Sequence, residues 1–178
     1  MKRISFFMFA MLIGSMSLFT ACGDDDDDDT TPPSGIVAGT YSGTLVASIE
    51  GEVVANEAKS LSLEKNGDNA VDVVIKDFTL NVVLGNSDPI PVNLGDLKVE
   101  KCTLTQKDGK TTFSGTKELK GIQVPLSPEL NIPADCKVDI VNATVNGKNL
   151  SLPIDVAVSA MDVENLLSVS VQYTGTKK

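Results

Sequence analysis

The chain has 178 residues and a formal net charge of −9, so its composition gives no indication of the basic surface that nucleic-acid binding requires. It contains no histidine, so histidine-based metal sites and histidine general bases are excluded. We therefore expect no metal, no other cofactor and no nucleic-acid partner.

The N-terminus has the features of a secretory signal. Met1-Lys2-Arg3 supplies positive charge, and the following stretch from Ile4 to Phe19 is largely apolar. This stretch is short for a membrane-spanning helix, which needs roughly 20 apolar residues. Thr20 and Ala21 are small residues directly before Cys22. The pattern predicts a signal peptide over residues 1–21 that is removed by cleavage.

The sequence around Cys22 resembles the lipobox of bacterial lipoproteins, although Phe19 stands where that family usually has leucine. The resemblance implies that the Cys22 thiol is diacylated, with chains such as palmitate. Two or more acyl chains anchor a protein stably to a membrane that it does not span. The alternative is a free cysteine behind an ordinary secretory signal.

Residues 22–37 are predicted to be a flexible acidic tether, because like charges repel and the segment has no apolar face. Its aspartates are Asp24, Asp25, Asp26, Asp27, Asp28 and Asp29. Acidic residues behind a lipidated cysteine resemble the surface-export signal of Bacteroidetes lipoproteins. This resemblance implies an outer-membrane protein on the cell surface. A periplasmic location and a plain solvated linker are the alternatives.

From Gly39 onward, apolar residues alternate with polar ones, which is typical of strands with one buried face. The clearest stretches are Tyr41–Ile49, Val71–Ile75, Leu150–Val158 and Leu167–Tyr173. Hairpin turn signals separate them, at 50–51, 66–69, 107–110 and 146–147. About eight strands are predicted.

Several segments interrupt this pattern. The alternation changes phase at Asp77, which predicts a β-bulge, and Pro153 predicts an edge-like or bulged strand. Prolines predict a loop over 87–93 and an irregular connection over 121–134. Residues 161–167 are predicted to form one short helical turn.

Sequential hairpins whose strands must hide their edges favour an all-β, antiparallel up-and-down barrel with little helix, over residues 38–178. The segments Ala38–Leu45, Val71–Phe78 and Leu94–Leu97 resemble the calycin-like β-barrel domain of Bacteroidetes lipoproteins, which is lipocalin-like. Gly39-Thr40-Tyr41 replaces the G-x-W of lipocalins, and their late arginine has no match. The resemblance implies a fold and no particular activity.

A small barrel of aliphatic side chains either packs solid or holds one small ligand. The residues that we expect to line such a cavity are Tyr41, Leu45, Ile75, Phe113, Val156 and Tyr173. Cys102 and Cys136 lie on apolar faces of predicted strands, where they form either a disulfide or two buried free thiols. Neither is a credible nucleophile without a histidine to activate it.

These observations predict a lipid-anchored cell-envelope protein whose barrel binds a small apolar ligand or a protein partner. The alternative is a purely structural or accessory subunit of an outer-membrane surface complex. A hydrolase would need two carboxylates across a cleft, and pairs such as Asp135 and Asp139 are more simply surface residues. We therefore expect no enzymatic activity.

Overall fold

A computed structural model describes residues 31–82, 90–127, 130–161 and 163–178. Each strand in it pairs with the next in antiparallel fashion, and the last pairs with the first to close a barrel. The elements are α1 (Pro33–Val37), β1 (Gly39–Ile49), β2 (Glu52–Lys65), β3 (Ala70–Val82), β4 (Ile90–Lys107), β5 (Lys110–Ser127), β6 (Leu130–Asn146), β7 (Asn149–Ala160) and β8 (Val163–Lys177). The predicted eight-stranded up-and-down barrel is confirmed. Within the described ranges, no helix is long and apolar enough to cross a membrane.

Alternation along the strands builds the core. In β7, every second residue from Leu150 to Ala160 is buried, while the residues between them are exposed or half-buried. Val, Ile and Leu dominate these inward positions, and full burial of such a side chain contributes about 1.5–3 kcal/mol. The hydrophobic pattern therefore fixes which face of each strand points inward.

One end of the barrel, called the closed end here, holds α1, the start of β1 and the end of β8. Ser34 fastens α1 to the β2–β3 turn, since its N–H donates to the Asp68 carbonyl at 3.2 Å and its Oγ to the Gly67 carbonyl at 2.7 Å. Residues 33–37 are therefore ordered on the barrel, and their assignment to a flexible tether was wrong. The opposite end, called the open end, holds the β1–β2 and β7–β8 turns.

Prolines occur inside β4, β5 and β6, where a loop or an irregular connection was predicted. The predicted loop over 87–93 is therefore wrong for residues 90–93, and the irregular connection over 121–134 is wrong for the described residues 121–127 and 130–134. Pro91 in β4 pairs with Asn81, and Pro125 and Pro133 lie in the β5–β6 ladder. Each of these prolines lies where its strand pairs on one side, because the β4–β5 ladder stops at Thr103 and Ser114 and the β6–β7 ladder starts at Ala134. The missing proline N–H is tolerated at such an edge.

The predicted helical turn over 161–167 is also wrong. Met161, with φ of 54°, is a turn residue, and β8 begins at Val163, paired with Ala160 of β7. The predicted bulge at Asp77 is confirmed, since the β3–β4 register shifts between Ile75 and Phe78. Opposite Pro153, the β6–β7 register shifts between Ile140 and Thr144, so the bulge lies on β6 and not on the proline's own strand, where it was predicted.

Two ladders are short and confined to the closed half of the barrel. β2 pairs with β3 over Ser62–Lys65, and β4 pairs with β5 over Thr103–Lys107. Toward the open end, side chains bridge the two seams instead. Lys59 Nζ donates to the Asp77 carbonyl at 2.9 Å across the first seam, and Lys117 pairs with Glu100 at 3.8 Å across the second.

Residues with positive φ recur within the strands, and their N–H groups donate to side-chain oxygens rather than to the ladder. The donor–acceptor pairs are Asp77 to Asp96, Gly95 to Asn93, Lys101 to Asp72, Gly121 to Asp135, Asn142 to Ser114 and Asn165 to Ser159, at 2.7–3.1 Å. A bulge removes a backbone group from the ladder, and a nearby Asp, Asn or Ser supplies the missing acceptor.

Candidate functional site at the open end

The interior residues predicted to line a cavity are all part of the buried core. Tyr41, Leu45, Ile75, Phe113, Val156 and Tyr173 are each at most 3% exposed. The Tyr41 hydroxyl donates to the Val37 carbonyl at 2.7 Å, and the Tyr173 hydroxyl donates to the Lys59 carbonyl at 3.3 Å. Burial raises the pKa of both tyrosines. Both polar groups of this set therefore have partners within the protein.

Cys102 and Cys136 are buried and free, so of the two predicted alternatives the pair of buried thiols holds and the disulfide does not form. They lie on β4 and β6, which are separated by β5. Burial, with a smaller contribution from Asp72 near Cys102 and from Asp135 near Cys136, raises the pKa of each thiol to about 11. Such thiols are almost fully protonated at neutral pH and are poor nucleophiles.

The carboxylates considered for hydrolysis are engaged in structural contacts. Asp135 accepts the Gly121 N–H at 2.9 Å, while Asp139 pairs with Lys137 at 2.8 Å and accepts the Thr116 hydroxyl. The hydrogen bonds from Lys137 and Thr116 lower the pKa of Asp139. Among the described residues, no three potential metal ligands of the types His, Cys, Asp or Glu form a cluster.

The predicted lipidation site Cys22 and the aspartates from Asp24 to Asp29 lie outside the described residues. Their roles remain predictions from the sequence.

Most of the exposed large apolar side chains among the described residues lie at the open end, with Ile36 in α1 and Val141 in β6 as the exceptions. Val53, Met161, Val163 and Leu166 are 49–67% exposed, and all four belong to the two turns there or to the strand residues beside them. We call these four residues the apolar rim. Scattered exposed apolar residues are ordinary in soluble domains, but a group at one end marks an interaction surface.

Two clefts flank the β7–β8 turn. The larger, of about 830 Å³, runs along the ends of β5 to β8 and carries both signs of charge, Lys120 and Lys137 with Glu118, Asp135 and Glu164. The smaller, of about 470 Å³, lies between the β1–β2 turn and β8. Its lining comprises Ser48, Ile49, Glu50, Gly51, Asn165, Leu166, Leu167, Ser168 and Ser170. Asn165 borders both clefts.

The smaller cleft arises because β8 is longer than its neighbour. The β1–β8 ladder ends at the Ile49–Val169 pair, whereas β8 continues to Val163. We call Val163–Ser168 the β8 overhang. Val163, Leu167 and Ser168 pair with β7, whereas residues 164–166 lie in a register shift of that ladder. None of the described residues pairs with the overhang on its other side.

Sequence reasoning missed both the rim and the overhang. The signal was present, because Met161, Val163 and Leu166 break the alternation of apolar and polar residues at this point. It was interpreted as a helical turn, although three large apolar side chains in a predicted turn have no buried face to occupy.

Comparison with known proteins agrees with the fold. A family model described as calycin-like beta-barrel domain matches residues 37–176. The chain is similar to a crystal structure of a protein from Bacteroides fragilis NCTC 9343 that is named as a proposed outer membrane protein, with a TM-score of 0.57 and 19% identity. That alignment covers 83% of this chain and 53% of the other, so the chain spans about half the length of that protein. Among curated proteins, none matches the sequence.

Proposed function

Because the chain belongs to the calycin-like β-barrel domain family, we propose that it is a lipid-anchored protein of the bacterial cell envelope that binds a partner protein through the open end of its barrel. The anchor is Cys22, and the acidic segment behind it directs the protein to the cell surface. The barrel acts in binding rather than in catalysis.

The observation that carries this proposal is the apolar rim. Val53, Met161, Val163 and Leu166 are exposed at one end of the barrel, while the inward positions hold packed aliphatic side chains. Protein interfaces place apolar residues at their centre and polar residues at their rim, and Glu50, Glu52 and Glu164 supply exposed polar groups beside the apolar residues here. The interior ligand site is less favoured, because its six expected lining residues are in the core.

The location rests on sequence and on analogy. The sequence shows the pattern of an exported lipoprotein in its leader, Cys22 and the aspartates. The similar Bacteroides fragilis protein is named as a proposed outer membrane protein. A cysteine without acyl chains would leave the barrel soluble. Cys22→Ser should therefore abolish metabolic labelling with an alkyne analogue of palmitate and release the protein from the membrane fraction. Labelling that persists in this variant would contradict the anchor.

Photo-crosslinking in intact cells tests the binding role. A benzophenone amino acid is placed at Val53 or Met161 on the rim and, as a control, at Asp108 in the β4–β5 turn of the closed end. We expect one discrete crosslinked protein from the rim positions and none from Asp108. Equal crosslinking from both ends, or none from the rim, would contradict a partner at the open end. A small lipid recovered with the purified barrel would favour the interior ligand instead.

A further inference from the structure

The β8 overhang combines three features at one place. Its backbone has an edge that none of the described strands pairs with. A cleft of about 470 Å³ lies along that edge. Two side chains of the apolar rim, Val163 and Leu166, belong to the overhang itself.

We propose that the β8 overhang accepts an extended polypeptide segment with basic side chains as an added strand. The inference deepens the proposed function by naming the chemistry of the partner, and it rests on that function. An unpaired strand edge presents N–H and C=O groups that an extended peptide satisfies by main-chain hydrogen bonds, and side-chain pockets beside the edge supply specificity.

The dimensions fit a short segment. Six fully extended residues would cover about 20 Å, and the bulge over residues 164–166, with φ of 51° at Asn165, makes the overhang shorter than that. The β1–β2 turn at Glu50-Gly51 ends the neighbouring strand and leaves the space open. Ile49, Leu166 and Leu167 give the cleft apolar contacts, and serines at 48, 168 and 170 give it hydroxyl groups.

Charge selects the partner. Glu50 is the charged residue among those that line the smaller cleft, and Glu52 and Glu164 follow it on the adjoining strands. A basic segment would therefore be attracted, and complementary charges give specificity and a faster association. The larger cleft carries both signs and makes no such selection.

Two other unpaired edges are less suited. Between Ser62 and the open end, the unpaired edges of β2 and β3 face each other. Lys59 already donates to the Asp77 carbonyl across the seam between them. The edges of β4 and β5 are bridged by the Lys117–Glu100 pair.

The test uses the full protein as purified from cells in a mild non-ionic detergent. The probe is an eight-residue peptide that alternates valine with lysine or threonine, compared with the same peptide carrying glutamate for lysine. We expect the basic peptide to bind about tenfold more tightly than the acidic one, with affinity falling at higher salt. Amide NMR shifts should change at Val163–Ser168 and at the β1–β2 turn.

Three variants locate the site. The double variant Glu50→Lys with Glu164→Lys should weaken binding of the basic peptide about tenfold, because it reverses the charge beside the overhang. Leu166→Ser should weaken it several-fold through lost apolar contact. Asp108→Lys is the matched control, since Asp108 is also an exposed turn residue with φ of 51°, like Glu50, but at the closed end. It should bind as the unaltered protein does.

Equal binding of both peptides, unchanged affinity in the double variant, or shifts confined to the β2–β3 seam would overturn the proposal. Peptide methylated on alternate backbone nitrogens should not bind, and full binding of it would exclude strand addition. Shifts at the rim caused by phosphatidylcholine vesicles alone would assign this surface to lipid instead. If the rim crosslinks a protein in cells while the peptide fails to bind the overhang, strand addition is wrong and the proposed function stands.

Discussion

Asp72 links three parts of the closed end. It is 6% exposed, and its carboxylate accepts the Asn66 amide at 2.6 Å and the Lys101 N–H at 2.9 Å and pairs with Lys98 at 3.0 Å. Burial alone would raise the pKa of Asp72, but these partners outweigh it and hold the pKa below its ordinary value. The ionised form is therefore the one that the fold stabilises.

Replacement of Asp72 by alanine should lower the free energy of unfolding by about 1–3 kcal/mol, because the Lys101 N–H loses its acceptor. Since the folded pKa is depressed, the difference from the unaltered protein is complete above the unfolded pKa of about 3.9. It shrinks as the pH falls through the folded pKa. Urea unfolding of the two proteins at pH 7 and at acid pH measures the difference in free energy of unfolding under each condition. Asp155→Ala, an exposed carboxylate on β7, should change stability by less than about 0.5 kcal/mol.

Gly115 is required by a close approach between β4 and β5. A Cβ atom there would lie 2.5 Å from Cys102 Sγ and 3.0 Å from Val99 Cγ1. Gly115→Ala should therefore destabilise the barrel by about 1–3 kcal/mol through overpacking. Adding Cys102→Ala removes the Sγ atom and should restore part of the loss. Chemical denaturation of the four proteins of this double-mutant cycle gives the coupling, and strict additivity would show that the two side chains do not meet.

The bulge partners illustrate what a single sequence cannot supply at this scale. The phase slip at Asp77 can be read from the alternation, but its acceptor Asp96 lies on the next strand, 19 positions away. The same is true of Lys101 and Asp72, separated by 29 positions. Such pairs depend on strand register, which local patterns do not determine.

At the scale of elements, α1 is a plug that the Tyr41 hydroxyl holds in place through the Val37 carbonyl. Tyr41→Phe leaves this buried carbonyl without its donor, so it should lower the free energy of unfolding by about 1–3 kcal/mol. Tyr173→Phe is the matched control, because its bond to Lys59 is longer, at 3.3 Å, and part-buried. Tyr173→Phe should therefore lower the free energy of unfolding by less than Tyr41→Phe does. Thermal unfolding compares the two variants, and equal losses would contradict a special role of α1.

The short β2–β3 ladder predicts uneven stability within the barrel. Backbone amides of β2 before Ser62 and of β3 after Val74 that face the seam have no ladder partner, so they should exchange hydrogen faster than amides of the complete β1–β8 ladder. Hydrogen exchange followed by NMR at pH 7 measures this. Uniform protection across both regions would show that the seam is closed in solution.

The proline-containing strands show why element boundaries were mispredicted. A proline argues against a strand that is paired on both sides, and that argument is sound. It failed at Pro91 and Pro125 because these strand ends are paired on one side. Whether a strand has one neighbour or two is a property of the assembled sheet.

At the scale of the whole molecule, the barrel architecture could be predicted, since alternation and turn signals are repeated along the entire domain. The surface proposed to bind a partner could not be predicted, because it results from β8 extending past β1 at the Ile49–Val169 pair. The local sequences of β1 and β8 do not determine how far one strand extends past the other in the closed barrel.

The lipid anchor proposed at Cys22 would hold the closed end nearer to the membrane than the open end. If Cys22 carries the anchor, the chain enters the barrel at α1, and the open end lies about 30 Å farther away, given eleven tilted residues in β1. A fluorophore on Asp108→Cys should transfer energy to a lipid-bound acceptor more efficiently than one on Glu50→Cys. Buried Cys102 and Cys136 should stay unlabelled in the folded protein. Greater transfer from Glu50→Cys would contradict this orientation.

The last described residues return to the place where the barrel begins. The Lys178 N–H donates to the Thr40 carbonyl at 3.0 Å, and the Lys177 side chain donates to the Ile36 carbonyl at 2.8 Å. A reporter fused behind Lys178 would consequently emerge at the closed end, beside α1. An epitope inserted between Glu50 and Gly51 would instead be displayed at the open end. The barrel thus offers two attachment points, one at each end, for a reporter and an inserted peptide.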